Sequence, residues 1–140
     1  LQVLPLWSGS SIYFRGSLLT TIGPDLDYPY NVFLGSMGEN YINYIHPFIG
    51  YRFMELVGRN ALVGGVDLNC QFLPNHYLIA KANYATLEGT FDALFGTEVL
   101  LDGYGLSYAY NSPIGPLQLT VMGSSNHADI LTYVNLGFWF

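Results

Sequence analysis

Charge is what this chain has least of. Asp, Glu, Lys and Arg make up 10% of its 140 residues, against roughly 25% in ordinary soluble domains. So few charges on so small a soluble protein would leave an adhesive surface. Basic residues are the scarcest of all, four in number, and the net charge is −6. No basic stripe exists to neutralise phosphates, which excludes nucleic acid as a partner. The one cysteine, Cys70, cannot close an internal disulfide, so a disulfide-stapled scaffold is excluded too. Long apolar runs are also missing. Hydrophobic residues reach 51%, yet polar residues or glycine break every run well short of the roughly 18 residues of a transmembrane helix. With no initiator Met and no basic-then-apolar leader, the expectation is a processed form or a fragment, whose export is not legible at its start.

What is present is alternation. From Ile130 to Phe140, Ile130, Val134, Leu136, Phe138 and Phe140 share one side with Thr132, while Leu131, Tyr133, Asn135, Gly137 and Trp139 take the other. A period of two means a strand, because successive side chains leave opposite faces of the pleat. Its length suits a tilted crossing of a bilayer, which takes roughly 9–11 residues. An aromatic end of this kind would aggregate on a soluble edge. The same pattern recurs upstream. Ile12, Phe14, Leu18 and Ile22 oppose Tyr13, Arg15, Ser17 and Thr21; Val66, Leu68, Cys70 and Phe72 oppose Gly65, Asp67, Asn69 and Gln71. His76 to Leu87, Gly103 to Asn111 and Leu117 to Met122 alternate likewise, with turns at Pro74-Asn75 and Ser112 to Gly115. Leu1 to Trp7, a start near Asn31 to Leu34 and a segment around Gly50 to Val57 bring the expected total to about eight strands.

One face of these strands is aliphatic and aromatic. The other carries Gly, Ser, Asn, Gln and the charges Arg15, Asp67 and Lys81. A soluble sandwich also alternates, but its wet face holds many Lys and Glu. The expected fold class is therefore all-β: one domain over residues 1–140, an antiparallel transmembrane β-barrel with aromatic girdles. Arg15, Asp67 and Lys81 are expected inside, paired with one another or with a loop, since lone inward charges are costly. Lining a polar pore is their rival role. Cys70 falls on the lipid side as a small hydrophobe. Gly64-Gly65 and Gly103/Gly105 would permit strand bending or close approach of a loop.

The run Gly103-Tyr-Gly-Leu-Ser-Tyr-Ala-Tyr-Asn-Ser-Pro-Ile-Gly-Pro-Leu-Gln-Leu119, with the terminal Asn135-Leu-Gly-Phe-Trp-Phe140, resembles the closing strands of the BamA/TamA-type surface antigen superfamily. Phe33-Leu-Gly-Ser-Met-Gly38 and Pro47-Phe-Ile-Gly-Tyr51 look like a strand end and the tip of that superfamily's inward-folding loop. Assembly factors carry Arg before the tip glycine; Ile49 stands there instead, which speaks against an insertase role. Residues 40–85 are most similar to barrels fused behind patatin-like phospholipase domains. The resemblance spans nearly the whole chain but matches only the carboxy-terminal half of a sixteen-stranded member. It implies a bacterial outer-membrane location and a non-enzymatic role as the membrane anchor or translocation conduit of a patatin-linked protein. The lumen would be partly filled by a loop whose tip is Pro47, Phe48, Ile49, Gly50 and Tyr51. Implied partners are outer-membrane lipid and the barrel-assembly machinery, which would read Asn135, Gly137, Phe138 and Phe140 as a signal. The chain is either a closed small barrel or part of a larger one, completed by edge-strand pairing in a homodimer or by a missing amino-terminal half.

The alternative is an enzyme, a small barrel acting on lipids through rim His and Ser residues. Serine needs an activating base and a strained elbow, and no Gly-x-Ser-x-Gly sequence occurs. His46, His76 and His127 sit singly at expected loops or strand ends, far apart in sequence and without ligand spacing. No catalytic residue, metal or cofactor is expected.

Overall fold

The computed structural model describes residues 2–7, 9–21, 31–37, 45–96 and 100–137. Its strands are β1 (Gln2–Trp7), β2 (Ser10–Thr20), β3 (Val32–Leu34), β4 (Ile45–His46), β5 (Leu56–Gly58), β6 (Asn60–Leu73), β7 (His76–Glu88), β8 (Leu101–Ser112), β9 (Gly115–Ser124) and β10 (His127–Leu136). A 3-10 turn, Asp92–Phe95, lies between β7 and β8. No helix among the described residues is long and apolar enough to cross a membrane. Seven strands form one sheet in the order β1-β2-β6-β7-β8-β9-β10, and each neighbouring pair is antiparallel.

Register turns the sequence alternation into two continuous surfaces. Ile12, Leu68, Ala80, Leu106 and Val121 form one cross-strand row, and Tyr13, Asp67, Lys81, Gly105 and Met122 form the next. Successive rows point to opposite sides of the sheet. The first surface is exposed although apolar: Leu119 is 46% exposed, while its neighbour Thr120, on the other surface, is fully buried against Ser107. Aromatic residues stand at both ends of the apolar surface. His76, Tyr108 and Tyr110 mark the end with the β6–β7 and β8–β9 turns, and Tyr84 and Tyr104 the other. His76 and Tyr84 are about 26 Å apart along β7 at the usual strand rise.

The core lies on the second surface, at the end away from the β6–β7 and β8–β9 turns. There β4, β3 and β5 form a small sheet, parallel between β3 and β4 and antiparallel between β3 and β5. Val32, Leu34, Phe48 and Tyr51 pack on Ala61, Val63 and Ala85, ringed by Leu19, Leu56, Leu87 and Leu101. Burying Phe48 and Leu34 fully stabilises this arrangement by roughly 1.5–3 kcal/mol each.

Two expectations are corrected here. The large sheet has seven strands, because the segments at Asn31 to Leu34 and Gly50 to Val57 supply only β3 and β5. A turn centred on Met54 (φ 56) interrupts the second of these, and all three residues of β3 are buried, so both segments fold onto the sheet instead of extending it. Nor do the described residues form a closed small barrel, since β1 and β10 each have one neighbour. A barrel of eight strands is filled by its own wall side chains and has no room for this core. Leu1, Ile22, Gly38, Phe138, Trp139 and Phe140, and residues 40–44 of the expected loop, lie outside the described residues.

Candidate functional site

The segment from Ile45 to Gly58 is held against the second surface of the large sheet. Its backbone is first tied to β3: Gly35 N–H donates to the His46 carbonyl (3.2 Å), Phe48 N–H to Ser36 (3.1 Å) and Ser36 N–H to Tyr51 (3.0 Å). That leaves Ile49 and Gly50 projecting toward β7, β8 and β9. With the Asn83 amide oriented to satisfy both its ends, its oxygen accepts the Ile49 N–H at 3.0 Å and its nitrogen donates to the Ala82 carbonyl. The Ile49 carbonyl presses on Gly103, where any Cβ would collide with it. Gly50, at φ 91, packs so closely that a Cβ would stand 2.5 Å from the Gly123 carbonyl oxygen. Glycine is needed at Gly50 for both reasons, backbone conformation and space.

Beyond the tip, the segment meets the β9–β10 hairpin. Asn126 Nδ2 donates to the Tyr51 hydroxyl at 3.0 Å, and the Tyr51 ring meets His127 edge-on at 5.2 Å. His127 Nε2 lies 3.3 Å from Glu55 Oε1, and Arg52 lies 3.6 Å from Asp129. Glu55 also accepts the Arg52 N–H at 2.5 Å, which fixes its carboxylate in the turn. The hairpin is held from its other side by Asp102 of β8, which accepts from the Ser125 N–H (3.1 Å) and hydroxyl (2.5 Å). A hollow of about 160 Å³ opens between Gly50, Arg52, Glu55, His127, Asp129 and Leu131.

Lower on the same surface, Arg15 donates to Asp67 at 2.7 Å, and Lys81 lies 3.9 Å from the other Asp67 oxygen. The register that pairs Asp67 with Lys81 across β6 and β7 makes this inevitable. Asp67→Asn leaves two cations sharing no carboxylate. Unfolding of the solubilised protein is expected to shift by about 1.5–3 kcal/mol, the range for hydrogen bonds to charged groups. An unchanged unfolding midpoint would mean that the trio contributes nothing.

The three histidines are kept apart. His76 Nδ1 is 2.7 Å from the Tyr108 hydroxyl, and its ring stacks on Tyr110 at the end with the β6–β7 and β8–β9 turns. His127 meets Glu55 at the opposite end. Burial, and then the Arg15 guanidinium, hold the His46 imidazole below its ordinary pKa. Among the described residues, no serine is a partner of His76 or His127; the hydroxyls of Ser107 and Ser125 are engaged by Thr120 and Asp102. Cys70 Sγ is 3.1 Å from Ser10 Oγ. Among the described residues, no group of His, Cys, Asp and Glu could hold a metal ion.

Asn83, Asp102, Asn126 and Gly123 complete the site, and sequence reasoning did not single them out. Asn83 is a polar residue among apolar neighbours, but alternation alone makes it one more inward side chain. Gly103 and Gly105 carried a signal, and close loop approach is what they permit; at Gly64 a Cβ would meet nothing within 4 Å. A comparison with protein families matches residues 4–140 to the OMP85 superfamily. No curated protein matches the chain.

Proposed function

The chain belongs to the OMP85 superfamily, and on that premise we propose that it forms part of the wall of a bacterial outer-membrane β-barrel. Its exposed apolar surface faces lipid, and the Ile45 to Gly58 segment narrows the lumen. The single observation that carries this reading is the inversion of the sheet. The apolar surface is bare, while the opposite surface carries a charged trio and buries the Ser107–Thr120 pair and an inserted segment. That is the arrangement a lipid-facing wall requires. Arg15, Asp67 and Lys81 then line the lumen, and Pro47 to Tyr51 is the tip of the inward loop. The role is anchoring or translocation and involves no catalysis by this chain. Association with a patatin-like phospholipase domain rests on the resemblance over residues 40–85, and recognition by assembly machinery on Asn135, Gly137, Phe138 and Phe140. Fractionation tests the location: the protein should enter the outer-membrane fraction and migrate differently in gels before and after heating. Recovery in the aqueous fraction would sink the reading. Steady single-channel conductance across a planar bilayer would favour a conduit, and its absence an anchor.

Strand direction bears on how such a barrel closes. Because seven antiparallel strands are an odd number, β1 and β10 run the same way. Joining them within one chain, or between two copies in the same membrane orientation, makes a parallel seam. Antiparallel closure takes an odd number of further strands, and bacterial single-chain barrels hold an even total. This favours completion by additional strands over the edge-paired homodimer. Cysteines at Leu4 and Val134, on the apolar surface of each edge, check it in a Cys70→Ala background. A short cross-linker should not join two copies; efficient links between copies would restore the homodimer.

A further inference from the structure

Bare over most of its length, the apolar surface is covered at one end. Register places Asn60, Leu62 and Leu68 on it, together with their partners Glu88, Thr86 and Ala80. Leu62 and Leu68 are exposed there, yet Asn60 is only 4% exposed. The cover is the turn that follows β7. Asn60 Nδ2 donates to the Gly89 carbonyl at 3.1 Å, and the Thr86 hydroxyl donates to the Leu94 carbonyl at 3.1 Å. Both side chains belong to the apolar surface, so the turn has folded over that side of β6 and β7, opposite the inserted segment. Leu94 is its buried member and is not part of the core on the second surface. Phe91 and Phe95 remain exposed, Phe95 to 67%, with their rings edge to face at 5.7 Å.

We infer that this turn is a lipid anchor, fastened to the sheet by Thr86 and Asn60 and seating the Phe91 and Phe95 rings at the boundary between acyl chains and headgroups. Its place along the strand points to lipid as the occupant. The stretch of about 26 Å from His76 to Tyr84 matches the apolar band of outer-membrane barrels, roughly 25 Å tall. Thr86 lies about 7 Å beyond Tyr84 on β7, so the turn sits where that band ends. The chemistry changes in the same order. Leu18 and Leu62 are the last apolar pair on β2 and β6. Beyond them Thr20, Thr21, Arg59 and Thr90 border a hollow of about 450 Å³ that also opens on Phe91. Apolar side chains, then phenyl rings, then hydroxyls and a cation follow the passage of a bilayer from chains to headgroups. Phenyl rings have no polar tip to keep in water, so lipid contact removes the cost of exposing them. The anchor would fix how deeply this end of the sheet sits. The inference rests on the proposed lipid-facing wall.

Nitroxide labels at Phe91→Cys and Phe95→Cys, each with Cys70→Ala, report depth in the whole polypeptide reconstituted into phosphatidylcholine vesicles. Relaxation by oxygen, which concentrates among acyl chains, is compared with relaxation by a water-soluble nickel chelate. Leu119→Cys is the lipid reference, and Pro74→Cys, exposed in the β6–β7 turn, the aqueous one. Both phenylalanine sites should lie in lipid, roughly 5–10 Å inside the headgroup boundary. Thr86→Val removes the bond to Leu94. It should raise the mobile spectral component at Phe95→Cys roughly two- to twelvefold, the range for one hydrogen bond, and leave Leu119→Cys unchanged. Labels open to the nickel chelate overturn the anchor. Protection from both reagents overturns it too, because protein would then cover the rings. A mobile component unmoved by Thr86→Val overturns the fastening. An aqueous Leu119→Cys sinks the proposed wall and the anchor with it, whereas Leu119→Cys in lipid beside an aqueous Phe95→Cys sinks the anchor alone.

Discussion

Replacing Gly103 with alanine is expected to expel the tip of the inserted segment from the sheet. A methyl group at this position collides with the Ile49 carbonyl oxygen, a backbone atom that cannot rotate aside. Gly103 is not among the glycines with positive φ, so alanine meets no conformational penalty and the whole effect is steric. Overpacking of this kind costs about 1–3 kcal/mol. Here the chain can escape most of it by undocking Ile49 and giving up its bond to Asn83. The undocked population should then rise roughly five- to a hundredfold, and trypsin cleavage after Arg52 should accelerate in proportion. Gly64→Ala is the control, since a Cβ there meets nothing; it should leave cleavage unchanged. Equal cleavage in the two variants would mean that the segment is not seated on β8.

The second large effect concerns the apolar surface. Leu119 lies mid-strand in β9, flanked by Tyr108 and Val134 in the neighbouring strands, and is half exposed. Leu119→Arg should destabilise the protein in lipid vesicles by about 2–4 kcal/mol, the range for a cation at the bilayer midplane of a barrel. Gln118→Arg sits one residue away but points to the inner surface, where Gln118 bonds to Thr120 at 3.2 Å. Its effect should stay well below that of Leu119→Arg. Urea titration of both variants in vesicles and in an aqueous detergent dispersion separates the causes. Comparable losses at the two positions would show that the sheet does not present this surface to lipid.

Both experiments act on features that were legible to different degrees. The alternation of Val66, Leu68 and Cys70 with Asp67 and Asn69 is a local property, fixed by the geometry of a pleated strand. It identified the strands from β6 to β10 and placed Leu119 and Gln118 on opposite surfaces. The nearness of Arg15, Asp67 and Lys81 was only partly readable. Sharing a face follows from period two, but their contact needs the register of β2, β6 and β7. Apolar content misled the reading at β3 and β5, because a short apolar segment has the same composition whether it spans a membrane or packs inside a wall.

The sequence by itself determined that the chain is all-β, sparsely charged and two-faced, because composition and period-two spacing are carried by each residue and its near neighbours. Tertiary structure alone decided that seven strands form the large sheet, that Ile49 rests on Gly103, and that Tyr51 and Glu55 reach Asn126 and His127. Those contacts join residues more than fifty positions apart. No local propensity encodes them; they exist because the burial of Phe48, Leu34 and Val32 against Ala61, Val63 and Ala85 brings the segment to the sheet. The glycines of the sheet then decide where it stops.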